Sequence, residues 1–295
     1  MARARARTSN SKRKRFPGLS PEAFIADSDR AALDGLKRVP LLPKIVHKFY
    51  ELGIDRWMYC WNMAQSVRCG PKQFKTLYAI LRESADVLDM PEPELYVTQN
   101  PFPNAFAGGV ERPYVTIRSS MIETMTDEQL FHLIGHELGH IKAGHVLYKS
   151  VAQVLIPLLE LVGRRTFGLG DVASVGLMLA FYEWSRQAEI TADRAGLLVS
   201  QKLETSLDAN LALAAGPSRL SHETSRDAFM DQARAYQDVS GLDAIGKVLI
   251  FVLMSSWMTH PMPVHRAQEL ERWVLSGAYD RILSGDYKRV ADTAA

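Results

Sequence analysis

The sequence has 295 residues, 47% of them hydrophobic and 23% charged. This composition excludes wholesale disorder, collagen-like repeats and a polytopic membrane protein, and the length suffices for a sizeable core. Its two cysteines, Cys60 and Cys69, exclude a disulfide framework or a four-cysteine zinc site, and as reduced thiols they point to a cytoplasmic setting.

The net charge of +2 is unevenly spread. Seven basic residues and no acid fall within residues 1–15, leaving the rest net acidic. Such a segment stays solvated, so residues 1–20 are expected as a disordered basic tail, able to touch anionic lipid peripherally. No apolar stretch follows it, so no secretory signal peptide is expected. The acidic body offers no second basic patch, and no specific nucleic-acid partner is expected.

Residues 21–90 read as a helical region. Ser28 can cap a helix through Leu33 and Leu36, which the Pro40–Pro43 stretch breaks. Further helical patterns run over 44–52, 55–67 and 72–88, with Gly70 and Pro71 as punctuation. Three short extended pieces follow, at 94–98, 104–107 and 114–117, and suggest a small antiparallel meander. Beyond Thr126 the chain reads as helical almost to its end. Apolar runs at 151–159, 172–182 and 248–258 fall short of the ~20 residues a membrane span needs. Residues 146–184 therefore suggest a buried helical hairpin, with peripheral membrane contact as the other reading.

The chemistry-bearing motif is His-Glu-x-x-His at 136–140. Thr126 and Gln129 form a capping box, and Leu130, Ile134, Leu138 and Ile141 recur at helical spacing. On a helix, His136 and His140 share one face and can bind one zinc ion, while Glu137 can reach an activated water as general base. His132 lies on the same face without an adjacent acid and reads as a flanking residue. His145 stands one position early for the spacing that takes a third histidine from the same segment. Glu189 and Asp193 offer another source of ligands. Four residues apart, they share a helix face; such a pair is ordinarily solvated. The preceding apolar run and the small residues around them point instead to burial, which a metal would explain. Glu189 can then complete a His₂Glu set, and Asp193 can accept the second imidazole N–H of a ligand histidine.

Taken together, the chain resembles the M48 metallopeptidases. Four segments carry the resemblance: Asn104 to Gly108, the 136–140 motif, Ser185 to Asp193, and His260-Pro261 with Arg266. It spans roughly residues 75–275. The resemblance implies an α+β, mainly helical, zincin-like metallopeptidase domain, with a small antiparallel sheet beside the zinc-binding helix. That domain is expected over 91–285, followed by a C-terminal tail at 286–295. The resemblance also implies one zinc ion held by His136, His140 and Glu189, with Asp193 behind the ligands, and an endopeptidase whose general base is Glu137. His260 is then the candidate oxyanion donor, and Arg266 either shares that task or pairs with a carboxylate. Protein or peptide substrates would lie extended along a strand edge at Asn104 and Ala105. The alternative is a catalytically inactive, zinc-stabilised binding or scaffold protein.

Overall fold

The structure, a computed structural model, describes residues 13–39, 42–165, 171–216, 220–238 and 262–293. Helices α1 (Asp27–Lys37), α2 (Leu42–Glu51), α3 (Ile54–Gln65) and α4 (Lys75–Leu88) form the first part. Strand β1 (Val67–Arg68) lies between α3 and α4, and β2 (Glu94–Thr98), β3 (Ala105–Gly108) and β4 (Tyr114–Arg118) follow. Among the described residues the further α-helices are α5 (Ser119–Thr124), α6 (Asp127–Lys142), α7 (His145–Arg165), α8 (Asp171–Ser200), α9 (Leu203–Ala215), α10 (Arg226–Asp238), α11 (Pro263–Leu275), α12 (Ala278–Ser284) and α13 (Val290–Thr293).

The four strands lie in the order β1-β2-β4-β3. Strand β3 pairs antiparallel with β4, and β1 with β2, but β2 and β4 run parallel, with Val97 opposite Ile117. The sheet is therefore mixed, not wholly antiparallel. The chain passes from β2 to the outer position of β3 and returns through β4, which slots in beside β2 in the same direction. Strand β1, only two residues long, is too short to show alternation. Val115 and Ile117 enter the core shared with α4 and α6. On the other face Thr116 donates to Asn62 of α3 at 2.8 Å, and Tyr59 of α3 packs its ring on Tyr114.

The chain ends pack more than the basic composition suggests. Arg13 pairs with Glu83 and Glu128 at 2.9 Å each, and its guanidinium lies 3.4 Å over the Phe131 ring. Phe16 and Leu19 are fully buried, Leu19 bridges Arg289, and the Ser20 N–H donates to the Lys288 carbonyl at 3.1 Å. The expectation of a solvated tail to residue 20 thus gives way to packing from Arg13 onward, and the C-terminal segment meets it at Lys288 and Arg289. Two apolar anchors and two acidic partners outweigh the local run of charge. Helix α1 also starts one residue before Ser28, at Asp27. The Ala26 N–H ahead of it donates to Thr191 Oγ1 at 3.0 Å, so a tertiary contact replaces the local cap.

Helix α8 is 30 residues long and spans two apolar clusters. Leu177, Phe181, Trp184 and Ala188 pack with α1, α2 and α7, whereas Ala195, Leu197, Leu198 and Val199 join the core around α4, α6 and the sheet. Its approach to α6 is set by glycines. A β-carbon on Gly135 would stand 2.6 Å from Val199 Cβ, and one on Gly139 would stand 2.6 Å from Ala195 Cβ. Gly139→Val is expected to destabilise the fold by about 1–3 kcal/mol through overpacking, even though glycine inside a helix itself costs ~1 kcal/mol. The urea midpoint measures it; an unchanged midpoint would mean that the two helices part freely.

Candidate metal centre

Helix α6 begins as its sequence dictates. Thr126 Oγ1 accepts from the Gln129 N–H, while the Gln129 side chain accepts from the Thr126 N–H, closing the capping box. One turn and more further on, His136, Glu137 and His140 are all buried, at 2% exposure or less. Because α8 crosses at the glycine contact, Glu189 and Asp193 arrive opposite the histidines, exposed by only 0% and 1%. They lie where the two apolar clusters along α8 meet, which explains how an acid pair comes to be enclosed.

His136 Nε2 lies 3.3 Å from Glu189 Oε2, and His140 Nε2 lies 3.2 Å from Glu189 Oε1. One donor atom from each of the three residues falls within 4.8 Å of the others. Donors bound tetrahedrally at ~2.0–2.2 Å stand about 3.3–3.6 Å apart, and the two imidazole–carboxylate distances, each to a different oxygen of Glu189, are close to that size. The donor chemistry also fits, with two imidazoles and a carboxylate facing one point.

The far sides of the imidazoles are fixed by different partners. His136 Nδ1 meets Asp193 Oδ1 at 2.8 Å. Asp193 in turn accepts from Arg266 of α11, at 2.7 Å from Nε and 2.5 Å from Nη2, and Arg266 Nη1 stands 3.3 Å from Glu189 Oε2. Burial alone would push the His136 imidazole down, but the carboxylates of Asp193 and Glu189 outweigh it and raise its pKa to about 9. Burial likewise works against an ionised Asp193, yet the Arg266 guanidinium holds its carboxyl well below the usual range. His132, whose Nε2 is 3.5 Å from Asp193 Oδ1, is held low by burial.

His140 is supported by residues that the motif does not contain. Its Nδ1 meets His145 Nδ1 at 3.0 Å, and His145 Nε2 reaches Asp29 Oδ2 of α1 at 3.0 Å. Thr191 Oγ1 donates to the same Asp29 oxygen at 2.6 Å. Lys149, one turn beyond His145 on α7, places Nζ 2.9 Å from His140 Nε2 and 2.6 Å from Glu189 Oε1. Burial and the Lys149 charge together hold the His140 imidazole well below its ordinary value. Sequence reasoning missed Asp29 and Lys149 and gave His145 no partner. The only sequence signal for Lys149 is its position four residues after His145.

The structure thus brings together His136, Glu137, His140, Glu189, Asp193 and Arg266. Asn104 and Ala105 are buried at the start of β3, which packs against α6. His260 lies outside the described residues. No helix among the described residues is long and apolar enough to cross a membrane.

Comparison with known proteins agrees in kind. The sequence pattern of Peptidase family M48 matches residues 71–274. The chain is 30% identical over 276 residues to a plastoglobule-localized metallopeptidase 48 of Arabidopsis thaliana chloroplasts, covering 91% of this chain and 77% of the relative. It is 24% identical over 239 residues to a protease HtpX homolog of Moorella thermoacetica, covering 73% and 77% respectively. A similar homolog of Caldanaerobacter subterraneus matches at 31% over 99 residues, 33% of each chain. No solved structure matches the chain.

Proposed function

The chain belongs to peptidase family M48 and is a metallopeptidase acting on protein or peptide substrates, and from that premise we propose a zinc endopeptidase whose ion is held by His136, His140 and Glu189. The observation that carries this reading is the set of three buried donors converging within 4.8 Å. Zinc held there supplies a Lewis acid that activates water near neutral pH and polarises the scissile carbonyl. Glu137, adjacent to the first ligand on the same helix, takes the water proton and passes it to the leaving amine. Asp193 fixes the His136 tautomer with Nε2 toward the ion, and Arg266 keeps Asp193 ionised while it does so. His260 remains our candidate for a donor to the oxyanion, on the sequence argument alone.

The outer position of β3 in the strand order supports substrate addition along that edge, near Asn104 and Ala105. A cytoplasmic setting, with peripheral lipid contact through the basic residues Arg3, Arg5, Arg7 and Lys12 or through residues 146–184, belongs to the same reading. The name of the Arabidopsis relative, plastoglobule-localized, supports the lipid part.

The direct test is elemental analysis together with casein cleavage, with and without 1,10-phenanthroline. One zinc per chain and cleavage that the chelator stops are expected. Protein purified with zinc available yet containing none would end the assignment of the ligands; zinc without cleavage would leave a scaffold.

A further inference from the structure

The three donor atoms facing one another in this centre meet two cations. Arg266 approaches from α11 and is held chiefly elsewhere: two of its nitrogens are bound to Asp193, the third stands 3.3 Å from Glu189 Oε2, and its side chain is 2% exposed. Lys149 is placed differently. Its ammonium lies on ligand atoms themselves, 2.9 Å from His140 Nε2 and 2.6 Å from Glu189 Oε1, across a pair that is itself separated by 3.2 Å. Those two lone pairs are the ones that a metal ion would need, so ammonium and metal cannot both hold them. The Lys149 side chain is 17% exposed, against 0% for Glu189, and its stem is flexible. It therefore has both a path out to solvent and the freedom to take it.

We propose that Lys149 is a displaceable internal cation of the metal centre, competing with the metal ion for His140 and Glu189. The inference rests on the reading of those residues as ligands. Its physical purpose follows from burial. A carboxylate enclosed without a counter-charge is strongly disfavoured, and metal sites commonly couple folding to metal for that reason. Arg266 faces one oxygen of Glu189 at 3.3 Å, and a lysine that covers the other at 2.6 Å lets the ligand cluster form before metal arrives. The cost is weaker binding, since the incoming ion must first expel the ammonium. The second partner of His140, the His145 side chain on the same helix, stays in place when Lys149 leaves, because it contacts Nδ1 and not Nε2.

The test compares full-length wild type with Lys149→Met, using zinc alone as the ligand. Affinity is measured by competition with a chromophoric chelator, and thermal midpoints are recorded for chelator-stripped and zinc-loaded protein. The variant is expected to bind zinc about tenfold more tightly, the factor that corresponds to removing one charge-assisted contact of ~1.4 kcal/mol. Its stripped form should melt several degrees lower, and its loaded form as the wild type does. Zinc affinity within about twofold of wild type, or weaker binding, overturns the proposal. If Lys149→Met does not fold, Lys149→Gln, which keeps a long neutral stem, is read by the same two measurements. Zinc bound equally by wild type and variant would sink the competition alone. Zinc bound by neither would sink the ligand assignment with it.

Discussion

Replacing Glu137 by Gln should leave the protein folded and zinc-loaded while lowering peptide hydrolysis by about 10²–10⁴-fold, the range that a positioned general base contributes. The argument is geometric. Glu137 is fully buried and follows His136 directly on α6, so its carboxylate is carried by the same rigid helix as both imidazoles. Gln is nearly isosteric and keeps hydrogen-bonding capacity, but it cannot accept a proton at neutral pH. The two readouts must therefore separate: zinc content unchanged, kcat lost. Retention of more than about a tenth of the wild-type kcat would remove Glu137 from the proton-transfer role. Loss of zinc along with activity would make it a structural member of the centre.

The second large effect concerns stability. Arg266→Met should destabilise the fold by about 3–5 kcal/mol, because removing one partner of a buried ion pair strands the other. Here the stranded groups are Asp193, which loses two charge-assisted hydrogen bonds, and Glu189, 3.3 Å from the third guanidinium nitrogen. The urea midpoint should fall at pH 7, and the gap to wild type should narrow in acid. The sign follows from the carboxyl. In the wild type Asp193 is held below its ordinary value of 3.8, so the pair contributes fully above that pH and is lost only as pH falls below it. In the variant, burial is opposed only by the contacts with His132 and His136, so the same group moves up from its wild-type position and protonation relieves the strain earlier. A gap that is small at pH 7, or that widens in acid, would mean that Arg266 is not what keeps Asp193 charged.

Much of the centre was legible because it is periodic. A capping box, a helical stripe and two histidines four apart define α6, and the same spacing in Glu189 and Asp193 identified the facing helix. The supporting residues were not legible, because each comes from a segment with its own local pattern. Asp29 sits in a short helix ahead of the Pro40–Pro43 stretch, 162 positions from the Thr191 that donates to it. Lys149 looks like an ordinary surface lysine at the start of an apolar run. The direction of β4 relative to β2 was likewise hidden, since alternation reports which face a strand buries and not which way it runs. The packing of Arg13, Phe16 and Leu19 escaped for another reason. Composition averages over the whole of residues 1–20, and there Phe16 and Leu19 are outvoted by arginines and lysines even though they, with the acidic partners of Arg13, decide the packing.

The glycine contact between α6 and α8 makes the centre a gauge of distance. Two of the proposed ligands ride on one helix and the third on the other, and the missing β-carbons of Gly135 and Gly139 let the two helices come this close. A graded series at Gly139, from Ala through Ser to Val, would act as a set of shims, opening the gap in small steps. Zinc affinity across that series would then report, far more finely than overall stability, how much misalignment the ion tolerates. Residues without a polar atom to offer the metal would in this sense be part of its selectivity.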